Sequence, residues 1–220
     1  DEPQIAALEA RMQTTGVLDG ADMATAFNLL RANDLVWSFF VNSYLLDRDP
    51  PAFDLLYWNS DCTRMPAAMH AWYLRELYLH NRLREPGGIT LAGTPMDLGA
   101  ITVPVYVVAS ADDHIAPWRS VHAGARCLGG TVRFVLAGSG HIAGIINPPA
   151  AGKYHYDTGA RFGGDPDAWL SRAQREPGSW WPDWQRWVRR HAGARVPARV
   201  PGSGKLPALE DAPGSYVRMR

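Results

Sequence analysis

Val103-Pro104-Val105-Tyr106-Val107-Val108-Ala109-Ser110-Ala111-Asp112-Asp113-His114-Ile115-Ala116-Pro117-Trp118 and, further on, Val132-Arg133-Phe134-Val135-Leu136-Ala137-Gly138-Ser139-Gly140-His141 set the architecture of this chain. Val103 to Val108 is an unbroken apolar run, the pattern of a strand covered on both faces in a parallel sheet. Pro117 stands where a helix would begin, and Gly129-Gly130 where it would end. Between them Trp118, Val121, Ala125 and Leu128 fall on one helical face. Val132 to Leu136 is a second apolar strand. The unit is therefore βαβ, with parallel strands and a right-handed crossover expected. Asp113 lies just beyond the carboxyl end of the first strand and His141 just beyond that of the second. Neighbouring parallel strands bring those ends to one sheet edge, where ligands bind in open α/β sheets. An acid followed by a histidine there matches the last two members of a nucleophile–acid–histidine triad. The nucleophile is expected earlier in the chain.

Of the 220 residues 46% are hydrophobic and 20% charged, which suits a globular chain with its own core. Basic and acidic residues balance at 22 each, which argues against nucleic acid as a partner. The two cysteines, Cys62 and Cys127, make no disulfide framework and fit a reducing compartment. Asp1-Glu2-Pro3-Gln4 has neither the basic nor the apolar region of a signal peptide. No apolar run has the length of a transmembrane helix. The missing initiator Met and the isolated first helix lead to the expectation of a piece of a longer protein.

Working outward, residues 4–14 read as an amphipathic helix with Ile5, Leu8 and Met12 inward. Asp22 is a candidate cap for a helix bearing Met23, Phe27 and Leu30. Leu35 to Leu46 is apolar nearly all round, which predicts a buried helix; the alternative is a cap or dimer face. Phe53 to Asn59 reads as a strand or tight turn. Pro66 opens a helix with Met69, Tyr73 and Leu77 as its inward stripe. Ile89-Thr90-Leu91 and Met96-Asp97-Leu98 suggest a short ribbon or a connector before the core strand. Residues 150–165 read as loop, Asp167 as the start of a helix with Trp169 and Leu170, and Pro182 as the first turn of a helix carrying Trp184, Trp187 and Val188. The tail from Gly193 is expected to be irregular, with Tyr216-Val217 docking locally.

Several stretches resemble the polyhydroxyalkanoate synthases. They are Phe53-Asp54-Leu55-Leu56-Tyr57-Trp58-Asn59-Ser60-Asp61, Tyr73-Leu74-Arg75, Asp113-His114-Ile115-Ala116-Pro117-Trp118, Gly138-Ser139-Gly140-His141-Ile142-Ala143-Gly144 and Asn147-Pro148-Pro149. Gly178-Ser179-Trp180-Trp181-Pro182-Asp183-Trp184 resembles the short-chain, class I type. The resemblance spans almost the whole chain. It implies an α/β-hydrolase fold, of which this would be the carboxyl-terminal part of the parallel sheet, with a helical cap. Residues 1–88 would be part of the cap subdomain and 89–220 the core, last helix and tail. It also implies a cysteine–aspartate–histidine triad that moves (R)-3-hydroxyacyl groups from coenzyme A onto a polyester chain. Asp113 matches the triad aspartate, His141 the triad histidine, and His114 a substrate-binding position. Coenzyme A thioester would be substrate, and no cofactor is expected. A homodimer through the cap, a polyester granule surface as partner and a cytoplasmic location are likewise implied. The family's Gly-x-Cys-x-Gly elbow is absent, so the nucleophile is expected upstream and the chain alone inactive.

Other candidates weigh less. Ser139 lies in Ala-Gly-Ser-Gly, not Gly-x-Ser-x-Gly, and only two residues from His141. Cys127 stands near a helix end and reads as structural. Cys62, just ahead of the helix at Pro66, reads as a small side chain before a reactive thiol. Asp112 competes with Asp113 and is expected in solvent. Arg64 and Arg75 are possible phosphate ligands, but ion-paired or solvated arginines are the plainer expectation. His70, His80, His122, His155 and His191 show no metal-ligand spacing, so no metal site is expected. Trp180, Trp181, Trp184 and Trp187 suit a granule-facing surface, yet packing of the last helix is expected for at least two of them. Rival readings are an esterase or depolymerase fragment of the same fold, and a non-catalytic granule-associated or dimerising remnant.

Overall fold

The computed structural model describes residues 1–30, 36–49 and 63–215. The expected segment at Phe53–Asn59, Cys62 and the docking of Tyr216-Val217 lie outside the described residues. The chain forms two compact units, one of residues 1–105 with 123–132, the other of 106–122 with 133–220.

In the first unit α1 (Glu2–Met12) starts from a capping box between Asp1 and Gln4, which satisfies amides at the exposed helix start. Its inward face carries Ile5 and Met12, both buried, with Leu8 half-buried, as the periodicity requires. β1 (Val17–Leu18) leads to α2 (Gly20–Leu30). The α2 amide of Ala21 bonds the side chain of Asp19 at 3.1 Å. Asp22, expected as the cap, pairs instead with Arg11 at 2.6 Å. The side chains of Phe27 and Leu30 are outside those described. Residues Phe40–Leu45 form a π-helical turn in which Phe40 stacks on Tyr44 at 5.5 Å. Trp37, Phe39, Phe40, Tyr44 and Leu45 are all exposed, so among the described residues nothing buries this segment as its apolar circumference predicted.

β2 (Met65–Pro66) pairs antiparallel with β1. α3 (Ala67–Tyr73) follows and continues as a π-helix, Leu74–Leu79. The buried residues of α3 are His70 and Ala71, while Met69 and Tyr73 are exposed. Of the expected stripe only Leu77, in the π-helical continuation, is half-buried. The Arg75 guanidinium in that continuation reaches Glu2 and Glu9 of α1 at 2.7 Å each. Arg75 is thus ion-paired, and Arg64 lies 3.8 Å from Asp19. A ribbon forms, with its second arm ahead of the expected Met96–Leu98: β3 (Thr90–Leu91) pairs antiparallel with β4 (Thr94–Pro95). Its two-residue turn, Ala92-Gly93, has both residues at positive φ, +47° and +79°, which is how tight hairpins match strand twist.

The second unit is built on a four-stranded sheet. β5 (Val105–Ser110), α4 (Trp118–Ala125) and β6 (Val132–Ala137) form the expected βαβ unit. Val105 N donates to Thr131 O at one end and Ala111 N to Ala137 O at the other, so β5 and β6 run parallel. Beyond them the sheet departs from the all-parallel expectation. β7 (His155–Thr158), where loop was expected, and β8 (Gln174–Pro177), for which no element was expected, add antiparallel strands. The connection from β6 to β7, residues 138–154, contains turns and one 3-10 turn (Pro149–Ala151) but no α-helix to carry a parallel crossover. Asp157 of β7 and Arg175 of β8 stand opposite one another and form a two-pronged pair at 2.9 and 3.0 Å.

Helices cover both faces of the sheet. Phe134 meets His122 of α4 edge-on at 5.1 Å and Trp169 of α5 (Pro166–Leu170) at 4.9 Å. Trp169 is fully buried, and such rings contribute about 2–3 kcal/mol each through burial. The opposite face takes α6 (Trp181–His191). There Tyr106 of β5 packs on Trp180 and Trp187, with ring centroids 6.1 and 5.4 Å apart. Two of the four tail tryptophans thus pack onto the sheet, while Trp181 and Trp184 are exposed. Among the described residues no helix is long and apolar enough to cross a membrane.

Candidate active site

The loops after β5 and β6 are stitched together by backbone bonds. Ala111 N donates to Ala137 O at 2.8 Å and Asp112 N to Ser139 O at 3.0 Å. Ser139 sits at φ +78°, a left-handed turn that L-residues adopt sparingly. The turn delivers His141 to Asp113. Nδ1 of His141 lies 2.8 Å from Oδ2 of Asp113. The other carboxylate oxygen accepts from the amides of Ile115 and Ala116 at 2.8 and 2.9 Å.

Burial by itself would raise the Asp113 carboxyl. The Ala116 amide, the His141 ring and the Ile115 amide together outweigh it and hold the group below its ordinary value. An ionised carboxylate only accepts hydrogen bonds, so the neutral imidazole carries its proton on Nδ1 and leaves the Nε2 lone pair free. Burial separates the roles: the Asp113 side chain is 8% exposed and His141 45%. The acid is sequestered and the base is reachable, an arrangement suited to proton transfer.

The sequence candidates distribute as follows. Asp113 and His141 are brought together. His114 is exposed on the same loop, one residue beyond the acid, and Asp112 is exposed as expected. Cys127 lies just past α4, half-buried, with Sγ 4.0 Å from Ala123 O. Ser139 spends its carbonyl on the Asp112 amide. Among the described residues no group of three or more His, Cys, Asp or Glu is placed to hold a metal ion.

Sequence reasoning missed the supports. Trp180 Nε1 donates to Gly144 O and Ile145 O, Trp181 Nε1 to Ile145 O, and Ser179 Oγ to Asn147 O. The signal was present, since an indole N–H near apolar surface needs an acceptor. Asp183 is the second omission. It accepts from Tyr106 at 2.8 Å, from both arms of Arg133 at 2.7 and 2.8 Å, and from Arg186 at 3.2 Å. It thereby ties α6 to the strands that lead to Asp113 and His141.

Gly144 is a close-approach glycine. A Cβ there would lie 2.6 Å from Ser110 Oγ and 2.7 Å from Gly138 O. The serine can rotate but the carbonyl cannot. Gly144→Ala is therefore expected to lower stability by about 1–3 kcal/mol, read from chemical unfolding. Unchanged stability would mean the loop is not held against Ser110.

No protein-family model matches the chain. Curated relatives do. It is 56% identical over 220 residues to the poly(3-hydroxyalkanoate) polymerase subunit PhaC of Rhizobium meliloti, covering all of this chain and 36% of that protein. It is 52% identical over 221 residues to the poly(3-hydroxyalkanoate) polymerase of Methylorubrum extorquens, again all of this chain and 36% of that protein. The PhaC subunit of Cupriavidus necator is 45% identical over 206 residues, 93% of this chain and 35% of that protein. The chain thus spans about a third of the length of these relatives. Along its whole length, the chain is homologous to the poly(3-hydroxyalkanoate) polymerases.

Proposed function

We propose that this chain is the carboxyl-terminal portion of a class I polymerase that transfers (R)-3-hydroxyacyl groups from coenzyme A to a growing polyester. On this reading the fold is an α/β hydrolase, residues 1–88 are part of its cap and 89–220 complete its core. The observation that carries the proposal is the 2.8 Å His141–Asp113 pair at the joined ends of β5 and β6, in a chain homologous throughout to polymerases.

The chemistry follows from that pair. A cysteine upstream of this chain loses its proton to Nε2 of His141. The thiolate attacks the thioester carbonyl, the acyl carbon–sulfur bond to coenzyme A breaks, and the leaving thiolate takes the proton from the imidazolium. His141 then accepts the proton of the incoming hydroxyl as that oxygen attacks the acyl-cysteine. Cleavage of that thioester lengthens the ester chain by one unit, and the departing cysteine thiolate recovers the proton. Asp113 keeps the ring in the required tautomer and stabilises its cationic form. Coenzyme A enters and leaves as substrate, and the steps need no bound cofactor or metal. His114, exposed beside Asp113, is assigned to substrate contact. A homodimer through the cap and a place on the cytoplasmic polyester granule complete the reading.

The test is the nucleophile. Reading the gene ahead of the Asp1 codon should give an in-frame Gly-x-Cys-x-Gly elbow. A Gly-x-Ser-x-Gly elbow would replace the proposal with ester hydrolysis. A frame without any elbow would replace it with a non-catalytic remnant.

A further inference from the structure

We infer that Ser179, Trp180 and Trp181 are positioning residues that hold His141 against Asp113 by capturing the backbone carbonyls of the histidine's own loop. Residues 141–147 form no regular element. Their internal bonds use amides as donors, from Gly144 to Gly140 O and from Ile145 and Ile146 to Ile142 O, at 3.0–3.1 Å. The carbonyls that face away are taken up by consecutive residues of another segment. Trp180 Nε1 lies 3.1 Å from Gly144 O and 3.2 Å from Ile145 O, Trp181 Nε1 2.9 Å from Ile145 O, and Ser179 Oγ 2.6 Å from Asn147 O. Ser179 Oγ also accepts from Trp181 N at 3.2 Å, which joins the donors to one another. Trp181 is 42% exposed, so burial alone does not account for its place; its N–H does.

The brace has a fixed base and a fixed stop. At its base, Asp183 binds Tyr106 of β5 and Arg133 of β6, the strands that end at Asp113 and His141. At its stop, Gly144 lies against Ser110 Oγ and Gly138 O with no room for a side chain. Asn147 Nδ2 secures the far end of the loop on Lys153 O at 2.8 Å. One helix start therefore sets both the strand spacing and the loop height. The hydrogen bonds stand by themselves; their consequence for turnover rests on the reading of His141 as the catalytic base.

The experiment is nitrogen-15 histidine NMR on the 220-residue chain, reading the tautomer of neutral His141. Asp113→Asn supplies the reference for the opposite, Nε2-protonated tautomer. In the parent chain the Nδ1-protonated form should dominate. In Trp180→Phe/Trp181→Phe the ratio of Nδ1-H to Nε2-H forms should fall by about fivefold or more, the equilibrium factor for a lost bond. Far-UV circular dichroism checks that the fold persists. If the double variant unfolds, Trp181→Phe alone, altered at an exposed ring, gives the same readout with a smaller fall. A tautomer ratio unchanged in a folded variant overturns the inference. The brace and the polymerase reading fail separately: a shifted ratio here, with no acyl transfer when this chain is joined to the amino-terminal part of a polymerase relative, keeps the first and removes the second.

Discussion

Asp183→Asn is expected to lower the unfolding free energy of this chain by about 3 kcal/mol, read from urea or guanidinium unfolding at neutral pH. Asp183 is 7% exposed, and its carboxylate is the common acceptor for Tyr106, Arg133 and Arg186. Losing its charge leaves the Arg133 guanidinium uncompensated. The expected figure sits at the low end for a broken buried pair because Arg133 keeps 34% of its side chain in solvent. Acid gives a second signature. Burial raises the Asp183 carboxyl, but the bonds from Arg133 and Tyr106 and the two arginine charges outweigh it and hold the group below its ordinary value. A carboxyl depressed in the fold adds stability above its unfolded value and loses it as pH falls through the folded value. The parent chain should therefore lose stability below about pH 4, and Asp183→Asn should show a shallower acid limb. Equal acid limbs would mean that Asp183 is not an ionised hub.

The second large effect concerns turnover. The suitable enzyme is a chimera in which this chain replaces the matching stretch of the Rhizobium meliloti relative, to which it is 56% identical over 220 residues. In that chimera His141→Gln should reduce acyl transfer by about a hundred- to ten-thousand-fold, with KM little changed because the lost interaction is proton transfer. Asp113→Asn should cost about as much. An asparagine amide donates a hydrogen bond to Nδ1, which stabilises the wrong tautomer and occupies Nε2 with a proton. The depressed Asp113 carboxyl adds a pH prediction: its contribution stays intact down through the ordinary carboxylate range. Loss of activity on the acid side should then follow another group. A full rate in either variant would remove the acid–base assignment.

The βαβ unit was legible because apolar runs, Pro117 and Gly129-Gly130 all agree with one arrangement. The meeting of Asp113 and His141 followed from it, since parallel strands place the two at one edge whatever surrounds them. β7 and β8 were not legible. Each is only four residues long, and β7 buries Asp157, a residue that reads as loop until Arg175 is seen opposite it. Residues 36–46 failed differently. An apolar circumference states that cover is needed, not that the described residues supply it. The α3 stripe failed at Met69 and Tyr73, where His70 and Ala71 are the buried residues, while Leu77 is half-buried. The brace at Ser179, Trp180 and Trp181 was hidden because its acceptors are backbone carbonyls, which leave no mark on residue identity.

Coenzyme A release from (R)-3-hydroxybutyryl-CoA by the chimera, followed with a thiol reagent, is the most direct measurement. The account predicts steady release with polyester formed, background release in His141→Gln of equal fold, and background release from the 220-residue chain alone. A folded chimera that releases no coenzyme A, or an isolated chain that polymerises the substrate unaided, would contradict it.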